Sequence, residues 1–294
     1  MIVLNKFLLI GFGAVGQGLA PLLLQALGVP ASHITALAAD LDGDEVATKL
    51  GIQLLLEPLT PLNDQALLGQ YLQAGDVLLN LAVEVSSNDL IAWCQALDVL
   101  YLDTSLETWP DDDRTEHLPL EHRTNHGLRQ AVLALRRPDR ATAVMAHGAN
   151  PGLISHLAKT AIEQLAQENG LLVGDRHWAS LAQPLGIQVI QVAERDTQTD
   201  GSNPGSDIFT NTWSVPEFLT ELSQPCEAGL FPGAQRPNSG AQACIYWPNP
   251  RGQLTCVKSW VPSAGASTAW LVTHHEAISL AECLSLQDET GHCH

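Results

Sequence analysis

Basic residues are scarce in this chain: 14 lysines and arginines stand against 32 aspartates and glutamates, a formal charge of −18 over 294 residues. A field of that sign repels phosphate backbones and attracts small cations, so nucleic-acid binding is not expected. For most of these acids, solubility is reason enough. Long apolar runs are also lacking. None reaches the roughly 18 uninterrupted residues that a membrane-spanning helix needs, and no membrane partner is expected. The six cysteines, Cys94, Cys226, Cys244, Cys256, Cys283 and Cys293, form no C-x-x-C pair and no framework spacing. In a chain long enough to hold its own core they are expected as reduced thiols of a cytoplasmic protein. Internal repeats and low-complexity segments are missing as well.

With 45% hydrophobic residues the chain can fill two ordinary domains. Up to about residue 147, short apolar runs alternate with helical patterns. The runs at 3–11, 33–39, 76–83, 98–104 and 141–146 read as strands, and helices fall between them, several opened by Ser, Asn or Asp. That alternation predicts an α/β fold with a Rossmann-type, doubly wound parallel sheet over 1–147. Its ligand crevice belongs at the carboxyl ends of the strands. After "GANPG" the rhythm changes. A helix is expected from Pro151, which suits a first helical position, to about Glu168. The stretches 186–197, 206–215, 241–248 and 254–262 then read as longer, partly alternating strands between Gly and Pro turns. An α+β domain with mainly antiparallel strands is therefore expected over 148–294.

The amino-terminal stretch is apolar with an early lysine, as in a signal peptide, but Asn5, Gln17, Gln25 and a cluster of glycines interrupt it. The glycines have a different explanation. "IGFGAVGQG" places Gly11, Gly13 and Gly16 in G-x-G-x-x-G spacing, directly after an apolar strand and opening a helix. The first glycine permits a tight turn, the second lets a pyrophosphate approach the backbone, and the third lets helix and strand pack closely. Ala14 and Val15 supply amides at the helix start, where phosphates bind. Asp40 follows the second strand at about 20 residues beyond the loop, where an acid bonds both ribose hydroxyls and repels a 2'-phosphate; this favours NAD over NADP. Asp40 can instead cap a turn in "ADLDGD", leaving Asp42 or Asp44 as the ribose ligand. Asn80, Leu81, Asp103 and Thr104, at the ends of later strands, complete the expected cofactor contacts in this region. Pro21 falls inside the helix after the loop and should kink it.

Several acids stand where strands end: Glu84 after "LLNLAV", Glu107 after "LYLDTSL" and Glu194 in "VIQVAERDT". Any one of them reads equally well as a solvated charge. Together, beside apolar strand ends and with few cations to pair them, they point to a cationic ligand. Trp213 fits that reading, because an indole face attracts an ammonium, although a tryptophan also serves a core. Glu217 and Glu221 follow it one and two helical turns on. The ligand expected from this run is an amine with two charged ends.

The motifs "IGFGAVGQG", "DTSLETW", "GANPG", "AERDTQ", "NTWSV" and "LVTHHE" resemble the bacterial homospermidine synthases, of the saccharopine dehydrogenase-like group, along essentially the whole chain. The glycine loop is shared by very many proteins; "AERDTQ" followed by "NTWSV" is specific. The resemblance implies an NAD-dependent, redox-neutral transferase of polyamine biosynthesis. In such a reaction a hydride passes from the amine-bearing carbon of putrescine to bound NAD, a second diamine displaces ammonia to form a Schiff base, and hydride return yields homospermidine. The family's ammonium-steering tryptophan falls on Trp213, its diamine-binding glutamates on Glu107, Glu194 and Glu221, its histidine on His274, and its asparagine on Asn150, which is also counted among the cofactor contacts. Glu84 stands where the family has aspartate. Putrescine and other small diamines are the implied partners, and a homodimer is what the resemblance suggests.

Two other readings remain open at this point. An NAD-linked dehydrogenase of the saccharopine or carboxynorspermidine type would need arginines for its carboxylate substrates, and few lie near the motifs. The resemblance also implies a further carboxyl-terminal segment beyond "GHCH", so a catalytically incompetent NAD-binding homologue is a second alternative. His292, Cys293 and His294 look like a metal clip, but a continuing segment accounts for them better, and no metal is expected.

Overall fold

Residues 7–10, Phe-Leu-Leu-Ile, are buried on both sides, and the rest of the first unit is arranged around them. The computed structural model describes residues 6–110, 124–172, 174, 177–198, 201, 205, 207–229, 244–251, 256–262, 264–272 and 274–285, without the side chains of 126, 217, 225–228 and 244–251. The chain divides into two units. One comprises Met1–Arg123, Gly127–Gly148 and Asn211–Ser214; the other comprises Thr124–His126, Ala149–Thr210 and Val215–His294.

In the first unit the order is β1 (Phe7–Ile10), α1 (Ala14–Gln25), β2 (Ile34–Ala38), α2 (Asp44–Leu50), β3 (Gln53–Leu56), α3 (Asp64–Tyr71), β4 (Val77–Asn80), α4 (Ser87–Ala96), β5 (Leu100–Asp103), α5 (Asn125–Ala134) and β6 (Ala143–Val144). The strands form one sheet in the order β3-β2-β1-β4-β5-β6, every pair parallel. Side chains alternate across it. Phe7 and Leu9 join Ala20, Leu23 and Ala47 from α1 and α2, while Leu8 and Ile10 join Leu67, Leu68, Leu90 and Ile91 from α3 and α4. Helices cover both faces, which is why β1 reads as a continuous apolar run. Each fully buried Leu or Ile contributes about 1.5–3 kcal/mol of transfer free energy. The strand order reverses between β1 and β4, whose last residues Ile10 and Asn80 are register partners. A doubly wound sheet binds ligands in the crevice outside that point.

The sixth strand, β3, is an addition to the five anticipated. It is the sheet edge, paired with β2 alone and at most half-buried, so it lacks a buried apolar run. α1 runs through Pro21 to Gln25 without ending there.

The second unit holds α6 (Leu153–Glu168), α7 (Trp178–Ala182), α8 (Val215–Ser223), β7 (Pro225–Gly229), β8 (Cys244–Arg251), β9 (Cys256–Val261), β10 (Gly265–Trp270) and α9 (His275–Leu284). β7 pairs with β8 and β9 with β10, both antiparallel. Two expected strands are not there. Residues 186–197 join no ladder, with Val189 exposed, and 207–214 form turn, bend and coil before α8, with Ile208 and Phe209 exposed. Among the described residues their alternation has no partner strand, and β propensity without pairing does not make a strand. α6 ends at Glu168 as expected but starts at Leu153 rather than Pro151. Gly152 precedes it at φ +126°, outside the helical region, which sets the boundary there. Ile162 and Ala166 of α6 pack with Leu181, Ala182 and Leu284 in a small apolar cluster.

Candidate functional site

The three loop glycines meet three different demands. Gly11 has φ +88°, and a Cβ there would lie 2.9 Å from the Ala82 nitrogen, so both backbone conformation and space exclude a side chain. A Cβ on Gly16 would meet the Gly11 carbonyl at 2.9 Å and the Phe12 ring at 3.3 Å; here helix and strand touch. A Cβ on Gly13 would meet nothing within 4 Å. Its lack of a side chain serves no contact within the protein, as expected of a glycine that leaves room for a pyrophosphate. Gly13 also caps α1 without a side-chain bond, and no acid occupies the first turn. The amides of Ala14, Val15 and Gly16, which have no partner inside a helix, are thus offered to an anion.

The loop is braced from behind. The Gln17 side-chain amide donates to the Phe12 carbonyl at 3.0 Å, and Gly43 packs so closely that a Cβ would lie 2.8 Å from that same oxygen. Gly43 belongs to the "ADLDGD" turn that carries Asp40. Asp40 lies two residues past β2 and is exposed, and its Oδ1 accepts the Asp42 amide at 3.0 Å. The turn role of Asp40 is therefore present, with Oδ2 taking no part in it.

At the ends of β4 and β5, Asn80, Tyr101 and Asp103 form a buried polar chain. Asn80 donates to the Tyr101 hydroxyl at 3.4 Å, and that hydroxyl donates to Asp103 Oδ2 at 2.8 Å. Asp103 Oδ1 accepts the Ala146 amide, and its carbonyl accepts the His147 amide. Burial pushes the Asp103 carboxyl up to about 6, against the bonds from Ala146, Tyr101 and Ser87 that lower it. Leu81 donates to the Ile10 carbonyl at 2.8 Å, and Thr104 is half-buried just past β5.

Glu107 is held by its neighbours on every side. Its amide donates to Ser87 Oγ and its carbonyl accepts the Ser87 amide. Oε1 accepts the Ser105 hydroxyl at 2.6 Å and Oε2 accepts the Glu84 amide at 3.3 Å. Glu84 itself is exposed at φ +59°, a left-handed conformation in which aspartate is more at ease than glutamate. Trp109, which donates to Asp89 at 2.8 Å, is a core tryptophan; Trp213, 37% exposed, is not. Residues 211–214, with Trp213, belong to this unit, whereas Glu221 lies on α8 in the other. The Glu217 side chain and residues 292–294 lie outside the described residues.

In the second unit, Asn150 Nδ2 donates to Glu194 Oε2 at 2.8 Å. An amide orients that carboxylate without neutralising it. Among the described residues no lysine or arginine forms an ion pair with Glu194. His274 caps α9 without a side-chain bond. Burial pulls its pKa below the usual imidazole value, opposed by the nearby charges of Glu276 and Glu194. Glu276 is buried; one oxygen accepts the Gly152 amide, and the other lies 3.9 Å from His274 Nδ1.

Several of these contributors were not anticipated from sequence. Gly43 and Tyr101 gave no motif signal, while Ser105 stands inside the quoted "DTSLETW" and Glu276 inside "LVTHHE".

Residues 7–146 match the family described as "Saccharopine dehydrogenase NADP binding domain". The chain is 36% identical to a homospermidine synthase of Blastochloris viridis and 35% identical to one of Mesorhizobium japonicum, in each case over 98% of this chain and 63% of the relative. A crystal structure of homospermidine synthase from Legionella pneumophila in complex with NAD is similar at a TM-score of 0.86 and 35% identity, covering 99% of this chain and 63% of that one. The chain thus spans somewhat less than two thirds of the length of these relatives. In sequence and in fold the chain is similar to homospermidine synthases along nearly all of its own length.

Proposed function

We propose that this chain binds NAD and a small diamine and takes part in redox-neutral aminobutyl transfer, forming homospermidine from putrescine. The observation that carries this reading is the similarity over 98% of the chain, together with a Glu194 carboxylate oriented by the neutral Asn150 amide. Such an acid keeps its charge for a ligand. A diamine supplies positive charge at both ends.

Gly11, Gly13, Ala14, Val15 and Gly16 would hold the pyrophosphate of NAD, and the open space at Gly13 fits that group. Asp40, through the oxygen not used by its turn, would hold the ribose and disfavour a 2'-phosphate. Asn80, Leu81, Asp103, Thr104 and Asn150 complete the assignment. NAD supplies hydride acceptance and return. The protein must supply proton management, because an amine-bearing carbon gives up hydride only when its nitrogen is neutral. His274, whose burial favours the neutral ring, is suited to take that proton. Inner amine contacts are assigned to Glu107, Asn150 and His274, with Glu84 beside Glu107, and the distal ammonium to Glu221 or Glu194. The exposed indole of Trp213 steers ammonium groups, a contact worth ~0.5–2 kcal/mol, and Trp213→Ala should weaken putrescine use about 2- to 30-fold.

The test is mass spectrometry of products after incubating the full chain with putrescine and catalytic NAD. Homospermidine and ammonia in excess of the NAD supplied would establish the transfer. A folded, NAD-bound sample that yields neither would overturn it for this chain.

A further inference from the structure

We infer that Glu276 is a positioning residue, whose single buried carboxylate sets both the start of α6 and the orientation of the His274 imidazole. The side chain is 6% exposed. One oxygen accepts the Gly152 amide, 124 positions away in sequence, at the cap of α6. Glu276 also lies in the first turn of α9. Two helix N-termini thus meet at one carboxylate. Gly152 closes the turn in which Asn150 reaches Glu194, so anchoring the Gly152 amide fixes the base from which that contact is made.

Among the described residues the second oxygen has no hydrogen-bond partner. His274 Nδ1 lies 3.9 Å from it, beyond hydrogen-bond length but well within charge range. A carboxylate there favours the imidazole tautomer protonated on Nδ1. The lone pair is then left on Nε2, the form that accepts a proton from a ligand. The charged groups acting on His274 are Glu276, on its own helix, and Glu194, from the segment before α8. The geometric part of the inference stands by itself; its consequence for turnover rests on the proposed diamine chemistry.

The test uses the full chain labelled with 15N-histidine, with the His274 signal assigned by its loss in His274→Gln. At neutral pH the ring is expected as the Nδ1–H tautomer; an Nε2–H ring overturns the inference. Glu276→Gln keeps an acceptor for Gly152 and removes the charge. His274 should then titrate about one pH unit lower, while Gly152 amide exchange stays slow. An unmoved titration overturns the inference. In Glu276→Ala the Gly152 amide should exchange at least tenfold faster; equal protection overturns the anchoring role. Should that variant not fold, the wild-type tautomer and the Gln variant still decide. If the chain makes homospermidine, Glu276→Gln should lower kcat with the putrescine KM unchanged. If it makes none, the proposed function fails while the resonance measurements still judge Glu276.

Discussion

The two units bury apolar surface in different ways. In the first, a six-stranded sheet is covered on both faces, and Leu8, Leu78, Leu90 and Ile91 are essentially inaccessible. Among the described residues of the second, sheets are two-stranded pairs and the apolar cluster is small. Large apolar side chains there face outward: Val189 is 79% exposed and Leu172 76%. On the β9–β10 pair, Trp260 and Trp270 fall on the same face by alternation along paired strands, and both are exposed. The first unit exposes Leu27 and Leu62 as well, but singly, at a helix end and in a loop. Isolated two-stranded sheets are marginal in water. The first unit therefore draws its stability from its own core, whereas the described part of the second depends more on helix packing and on polar anchors such as Glu276.

The largest effect should follow from a core truncation. Leu78→Ala, at the middle of the sheet, should cost about 2–5 kcal/mol in denaturant unfolding, because its packed neighbours on the α3–α4 face collapse only partly into the hole. A loss below 1 kcal/mol would break the comparison.

Asp103 should give a pH signature of the first unit. Its folded pKa, about 6, lies above its ordinary value of 3.8, so the folded state holds the proton more tightly. Its contribution is fully present below about pH 4 and is lost as pH rises through 6, on the order of 3 kcal/mol. Unfolding free energies measured from pH 4 to 7 should therefore fall more steeply in the wild type than in Asp103→Asn; parallel curves would remove Asp103 as the cause.

Gly43→Ala drives a methyl into the Phe12 backbone and should lower NAD affinity about tenfold, at 1–3 kcal/mol of stability. Calorimetric titration with NAD, beside a melting curve, separates the two losses. Least of all should come from Val189→Ser: its stability change should stay within about 0.5 kcal/mol, read by the same unfolding assay. A cost above 1 kcal/mol would show that Val189 is covered in solution and would narrow the difference between the units.

Much of the first unit was legible because its signals are local. The apolar runs at β1, β2, β4 and β5, the glycine spacing and the Ser86 cap, whose hydroxyl accepts the Asp89 amide at 3.2 Å, each lie within a few residues of one another. The edge strand β3 was missed because an edge carries no buried run. In the second unit the alternation at 186–197 suggested a strand that has no partner among the described residues, since pairing depends on residues far along the chain. The candidate site divides in the same way. Residue types at Glu107, Asn150, Glu194 and His274 were readable from motifs, but their hydrogen-bond partners were not.

By itself, the sequence determined the doubly wound sheet, the phosphate loop and the excess of uncompensated carboxylate, because periodicity, steric demand and charge count are properties of short stretches or of composition. Tertiary structure alone decided that Asp103 is buried and bonded to Tyr101, that Gly43 braces Phe12, and that Glu276 joins Gly152 to His274. Burial and hydrogen bonding depend on what the folded chain brings close. A carboxylate whose partner is 124 positions away carries no mark of it in its own neighbourhood.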